Sequence, residues 1–291
     1  MSLEQRVADG MERVPQLVDV TVDKASAQLR PLYDDIEQTL RVPFVNFIFR
    51  MLANFPEYFE PAWRGLAPNL RTLEFEQAAD RLRAAAVPDI TVESITNDKL
   101  ASADRQAVLD FTDSIHYVLP KLLLVATCLD LQLGGARPER ATALSPRTVD
   151  GVAEGTRVLS FVDPAQVDDA VRRIFDDIRD THQHPGVASY YRGLAHFPDF
   201  LDTAWTGVRT HVTAPAYTAR KQSVIELGET LGKTFLPADA VTPDAAVRDD
   251  IRAVLAVFRY RIIPDLLLDV TLIKTMLDGP AAARRSRFSL A

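Results

Sequence analysis

The chain has 291 residues, 40 acidic against 33 basic side chains and a formal net charge of −7. That balance leaves no broad basic surface for phosphates, so nucleic acid is not an expected partner. A single cysteine, Cys128, excludes an internal disulfide framework and a cysteine-based zinc site, which fits a reducing compartment.

Residues 1–20 mix acidic, basic and apolar positions without strong punctuation, and read as a flexible N-terminal arm. The opening MSLEQRVADGMERV lacks the continuous apolar stretch of a signal peptide, so a cytoplasmic chain is expected. From Lys24, apolar positions at Ala27, Leu29, Leu32, Tyr33 and Ile36 recur at helical spacing and predict a helix ending before Pro43. Phe44, Phe47, Ile48, Met51, Leu52 and Phe55 then form one apolar stripe. Pro56 cannot continue that helix but suits the first position of a new one, with Glu57 near its positive end and Trp63 facing inward. Glu74 to Val87 is rich in strong helix formers, and 88–101 reads as a loop. A helix starting near Ser102 runs into an apolar segment containing Pro120, which frees the carbonyl of His116; Pro264 frees that of Tyr260 in the same way. The most apolar runs, Tyr117 to Leu133 and Leu255 to Leu277, are broken by Pro120 and Lys121, and by Pro264, Asp265, Asp269 and Lys274. They therefore predict buried core helices and no membrane partner.

The stretch Val42 to Gly65 returns as His184 to Gly207 at an offset of 142 residues. Trp63 lies over Trp205, Arg50 over Arg192, Pro43 over Pro185 and Pro56 over Pro198. A period this long is a duplicated domain, since solenoid units run to roughly 20 to 50 residues. The predicted fold is all-α: two tandem helical repeats packed as an intramolecular pseudo-dimer. The first repeat covers 21–135, a Pro- and Gly-rich linker 136–164, the second repeat 165–279 and a frayed basic tail 280–291. Arg157 to Val162 is the one β-like run and reads as extended linker.

RVPFVNFIFRMLANFP from Arg41, AWR from Ala62, EQAADRLR from Glu76, PKLLL from Pro120 and LAHFP from Leu194 together resemble the group I 2-haloacid dehalogenase family. The likeness runs from about residue 30 to Gly279. It implies an all-helical pseudo-dimer with a small pocket between its repeats. It also implies displacement of halide from 2-halocarboxylic acids by an activated water, with neither ester intermediate nor metal, and hence no cofactor. Phe44 and Phe47 match the family's aromatic pocket wall, and Ser189 matches the serine of an Ala-Ser-Asp-Phe pattern. The aspartate that follows, the family's general base, is Tyr190 here; the asparagine before Pro-Lys is Leu119, and a tyrosine of the last core helix is Phe258. The chain is thus a divergent member with an altered site.

A phenol of pKa about 10 is roughly 0.1% ionised at neutral pH, so Tyr190 cannot stand in as the base. His116, three residues before Leu119, and Asp269, one turn after Asp265, are the substitute candidates. The substrate-binding set is Phe44, Phe47, Arg50, Ser189, Tyr190 and Phe258; Arg50 and its repeat counterpart Arg192 offer a bidentate fit to a carboxylate. Lys121 and Asp265, each following its helix proline, are expected to pair across the repeats. His182, His184 and His196 lie without a carboxylate or cysteine at ligand spacing, so no metal is expected. Two functions follow: hydrolytic dehalogenation of a small 2-halocarboxylic acid or a related reaction, or a non-catalytic helical protein that binds small organic acids or acts as a scaffold. Homodimer formation is left open.

Overall fold

Two long apolar helices form the centre of the protein. The computed structural model describes residues 2–90, 92–95, 102–138, 144–147, 149–239 and 241–290. Helix α6 (Ser102–Leu133) packs against α11 (Ala245–Val257) and α12 (Ile263–Asp278), which are joined by a π turn at Phe258–Ile262. Leu123, Leu124, Val125, Ala126, Val254, Leu267 and Ile273 are all fully buried there. By length and composition α6 could cross a bilayer, but 94% of its most apolar window is buried inside the protein. Among the described residues there is no strand; Thr72 and Pro146 make one isolated bridge.

The two helix prolines are accommodated differently. Pro120 leaves carbonyls of α6 without a partner, and the fully buried Arg83 of α5 (Leu73–Ala86) reaches them. Its Nε donates to the His116 oxygen at 3.3 Å and its Nη2 to the Tyr117 oxygen at 3.1 Å. Around Pro264 the helix widens to the π turn, so the proline falls in the first turn of α12, where no amide hydrogen is required.

Outer helices recur at the sequence offset. Helices α3 (Phe47–Leu52) and α8 (Ser189–Leu194), and α4 (Pro56–Leu70) and α9 (Pro198–Val212), have matching bounds. Helix α10 (Pro215–Gly232) starts at the position matching α5. The preceding helices, α2 (Arg30–Leu40) and α7 (Asp169–His182), both end on a left-handed residue, Arg41 (φ 66°) and Gln183 (φ 53°). Trp63 Nε1 donates to Asp35 at 2.8 Å and Trp205 Nε1 to Asp177 at 2.6 Å. Phe49 meets Trp63 edge-on, as Tyr191 meets Trp205. The short helices cross over: α3 packs against α11, and α8 against α6. Gly193 of α8 permits the second contact, because a Cβ there would lie 2.7 Å from the Phe111 ring.

Both ends of the chain depart from expectation. Residues 1–20 are not a free arm: α1 (Leu3–Arg13) lies along α11, and a Cβ at Gly10 would sit 2.1 Å from the Ala253 carbonyl oxygen. Arg6 reaches the buried Asp130 at 2.7 Å, and Arg50 fixes Asp19 at 2.7 Å. The tail is not frayed either. After α13 (Pro280–Ala283), Arg287 pairs with Asp110 at 2.6 Å and Asp113 at 3.1 Å, and Phe288 packs on Tyr117 at 5.4 Å. Charged termini read as solvated in sequence because the partners of Arg6 and Arg287 lie more than a hundred residues away.

Candidate active site

A small chamber lies where the starts of α3 and α8 meet α6 and the π turn. Pro43 breaks the chain after α2, so Phe44 and Phe47 enter from the start of α3, while α8 presents Ser189 and Tyr190 from the matching place. Helix α6 adds Ile115, Leu119 and Leu122 at helical spacing, and the π turn adds Phe258. The cavity is about 60 Å³, and Phe47 meets Phe258 edge-on at 5.5 Å. Its polar lining consists of Asn46, Arg50, Ser189 and Tyr190; no carboxylate lines it among the described residues. Tyr190 is fully buried, stacked on Phe111 at 5.6 Å with its hydroxyl 3.0 Å from Thr112 Oγ1. Burial pushes its phenol pKa further up, so it serves as a neutral donor.

A larger recess of about 290 Å³ adjoins the chamber, sharing Phe47, Arg50, Ala188, Ser189 and Ile262 with it. This mouth adds Asp19, His184 and Arg192. Arg50 is held by Asp19 at 2.7 Å and by the Val45 carbonyl at 3.2 Å. Arg192 donates to the Val162 carbonyl at 2.9 Å and has no carboxylate partner among the described residues. Burial and the neighbouring Arg50 both lower its pKa. The arrangement is an apolar chamber behind an entrance carrying two guanidinium groups.

The model of the family described as "Halocarboxylic acid dehydrogenase DehI" matches residues 43–191. Over 95% of this chain and 98% of its own length, a "2-haloacid dehalogenase, configuration-inverting" from Alcaligenes xylosoxydans xylosoxydans is 30% identical. The chain belongs to the DehI family. A relative of the same description from Pseudomonas sp. (strain 113) is 35% identical over 62% of this chain; that match spans 63% of the relative's length. In fold, the protein is similar to the solved structure titled "The complex structure of D-2-haloacid dehalogenase with L-LA", with a TM-score of 0.79, 24% identity and coverage of 89% of this chain and 96% of that one.

Within this DehI-family chain, all six residues of the expected substrate-binding set line the chamber, and so does Leu119. The two base candidates do not. His116 is fully buried away from the chamber, where burial pulls its pKa well below 6.5 and Arg83 and Lys274 add to that effect. Asp269 lies beneath the second half, accepting from Tyr191 and Tyr217 at 2.8 Å each, with His182 Nε2 also 2.8 Å away. Neither lines the chamber, since each is buried against other neighbours.

The expected Lys121–Asp265 pair is absent. Lys121 instead bonds Glu76 at 2.7 Å, and Asp265 bonds Lys221 at 2.6 Å, each within its own half. Sequence reasoning also missed the carboxylate near the histidines. Asp265 brings His182 and His184 into a set whose ligand atoms lie within 4.8 Å of one another. The Lys221 ammonium already supplies the cation there, so the set reads as an ion network. His196 is elsewhere, 2.9 Å from Ser160 Oγ.

Proposed function

We propose that the protein hydrolytically removes halide from small 2-halocarboxylic acids, with a site altered at Tyr190, Leu119 and Phe258. The observation carrying this reading is the paired cavity: a chamber of about 60 Å³ walled by Phe44, Phe47, Leu119 and Phe258, joined at Arg50 and Ser189 to a mouth bearing Arg192. A guanidinium takes a carboxylate through two parallel hydrogen bonds, and Arg192 is without a carboxylate partner among the described residues. With the carboxylate at the mouth, the halogen enters the apolar chamber. Water attacking from the opposite side forms a C–O bond as the C–halogen bond breaks, and halide leaves with the electron pair. Ser189, Tyr190 and Asn46 line the chamber and can donate to the departing anion.

The domain reading belongs to this proposal. Two repeats, 21–135 and 165–279, joined by 136–164, pack as an intramolecular pseudo-dimer whose interface holds the site. The matching bounds of α3 with α8 and of α4 with α9 support it.

One observation favours a second reading, a non-catalytic binder of small organic acids: the chamber has no carboxylate lining it among the described residues. Halide release from each enantiomer of 2-chloropropionate, followed with purified protein, separates the two. Release above the uncatalysed rate is expected. Thermal protection by propionate without any release would replace catalysis with binding, and absence of both would refute the pocket as a small-acid site.

A further inference from the structure

No carboxylate lines the chamber among the described residues, and at the mouth the Asp19 carboxylate is paired with Arg50 while the imidazole of His184 is held by Asp265. We propose that His184, held by Asp265, is the general base that activates water in this protein. The proposal rests on the dehalogenase reading and adds to it the group that takes the proton.

Backbone and side chain both fix this histidine. Gln183 ends α7 in the left-handed region at φ 53°, the His184 amide bonds the Arg179 carbonyl at 3.1 Å, and Pro185 restricts His184 to extended conformations. Its counterpart at the 142-residue offset is Val42, so only the second half carries a base at this corner. The ring stacks on His182 with centroids 4.9 Å apart. His184 Nε2 lies 3.0 Å from Asp265 Oδ2, while Lys221 binds the other carboxylate oxygen at 2.6 Å and Tyr217 donates to the Asp265 backbone oxygen at 3.0 Å. A carboxylate held ionised by Lys221 can only accept, so Nε2 carries the hydrogen and Nδ1 the lone pair. Asp265 is a positioning residue: it selects the tautomer and orients the ring, and it stabilises the imidazolium when that forms.

The placement suits an in-line displacement. His184 lines the mouth together with Arg50, Arg192 and Ser189 and does not line the chamber. A substrate with its halogen in the chamber turns the opposite face of its 2-carbon to the mouth, where a water stands beside His184. The imidazole takes one proton from that water as the new C–O bond forms and the C–halogen bond breaks. The products are a 2-hydroxy acid, halide and a proton released from the imidazolium to solvent. Burial lowers the pKa of His184 from its usual value of 6.5, and this outweighs the opposing pull of Asp265, so the ring is neutral and basic at pH 7. The charged and titratable groups around it are Asp265, His182, Asp269 and Lys221 on the inner side, and Asp19, Arg50 and Arg192 across the mouth.

The test is steady-state halide release against pH for the wild type, His184→Gln and Asp265→Asn, with far-UV circular dichroism and propionate protection as folding and binding controls. Wild-type kcat/KM is expected to fall on the acid side in one ionisation below the ordinary imidazole value of 6.5. His184→Gln is expected to lose about 10² to 10⁴ in kcat with KM little changed and to lose that acid limb. Asp265→Asn keeps the acceptor but not the charge, and is expected to shift the limb to lower pH. A His184→Gln enzyme within about threefold of wild-type kcat would overturn the assignment while leaving the dehalogenase reading intact. Should that variant not fold, a wild-type profile with no acid limb over the whole pH range in which circular dichroism shows the protein folded overturns it equally. Wild-type protein that releases no halide removes the dehalogenase reading first and this inference with it.

Discussion

Arg192→Met tests the mouth as a carboxylate clamp. Arg192 donates from Nε to the Val162 carbonyl and rests over the Phe161 ring at 6.0 Å. Nearby Arg50 already holds Asp19, so two guanidinium groups face the mouth with one carboxylate between them. A bound substrate carboxylate completes the balance, and a hydrogen bond to a charged group contributes about 1.5 to 3 kcal/mol. At about 1.4 kcal/mol per tenfold, its loss should raise KM by about 10- to 150-fold. The clamp acts alike on bound substrate and transition state, so kcat should change little. Folding stability should fall by about 1 to 2 kcal/mol, because the part-buried Val162 carbonyl loses its Nε donor while methionine retains the apolar stem and one like-charge contact disappears. Arg50 would be a poorer probe, since its removal also strands Asp19 and the Val45 carbonyl. The assays are halide release against 2-chloropropionate concentration and the thermal shift given by propionate. An unchanged KM together with unchanged propionate protection would refute the clamp.

Two further predictions concern the scaffold. Arg83→Leu removes donors from the His116 and Tyr117 carbonyls beside Pro120, and should cost about 3 to 5 kcal/mol in urea unfolding from the two charge-assisted bonds; Arg83→Lys, with one compact ammonium, should recover only part, and a loss below about 1 kcal/mol would show the kink needs no such support. His116 is held neutral by burial, so its folded-state pKa lies below the unfolded value of 6.5. Its stabilising effect is complete above that pH and declines as pH falls toward the folded pKa, at up to about 1.4 kcal/mol per pH unit. His116→Leu should flatten that part of the stability–pH curve, and an unchanged slope in urea titrations between about pH 6.5 and 5 would contradict the assignment.

The wall residues were legible through the family resemblance, whose motif matches fall within two copies of one local pattern. Phe44 and Phe47 follow from the first copy, Ser189 and Tyr190 from the second, and all four line one chamber. His184 belongs to the same second copy, yet its importance was invisible. What distinguishes it is Asp265, 81 residues later on α12, and Lys221 on α10 behind that. Asp269 drew attention as a carboxylate in an apolar helix, but sequence alone could not reveal that Tyr191 and Tyr217 both donate to it. The termini were misread for a related reason: Gly10 and Phe288 gain meaning only from Ala253 and Tyr117.

The buried charges differ between the two segments that match at the 142-residue offset. Immediately after each helix proline stands one ionisable residue, and its partner comes from the flanking helix of the same half. In the first half Lys121 on α6 meets Glu76 on α5; in the second, Asp265 on α12 meets Lys221 on α10. The polarity is reversed, so each half neutralises its own kink and neither depends on the other for that charge. The reversal has a chemical consequence. An ammonium after the proline cannot accept from an imidazole, whereas a carboxylate can: His184 meets Asp265, and the residue at the matching sequence position is Val42, which has no imidazole. Residues before the linker contribute Phe44, Phe47 and Arg50, and those after it contribute Arg192, Phe258, the hydroxyls of Ser189 and Tyr190, and the mouth imidazole of His184, held by the buried Asp265. If His184 is the base proposed above, the carboxylate of Asp265, one layer behind the mouth, acts through the imidazole, and the pH profiles of His184→Gln and Asp265→Asn test that asymmetry directly.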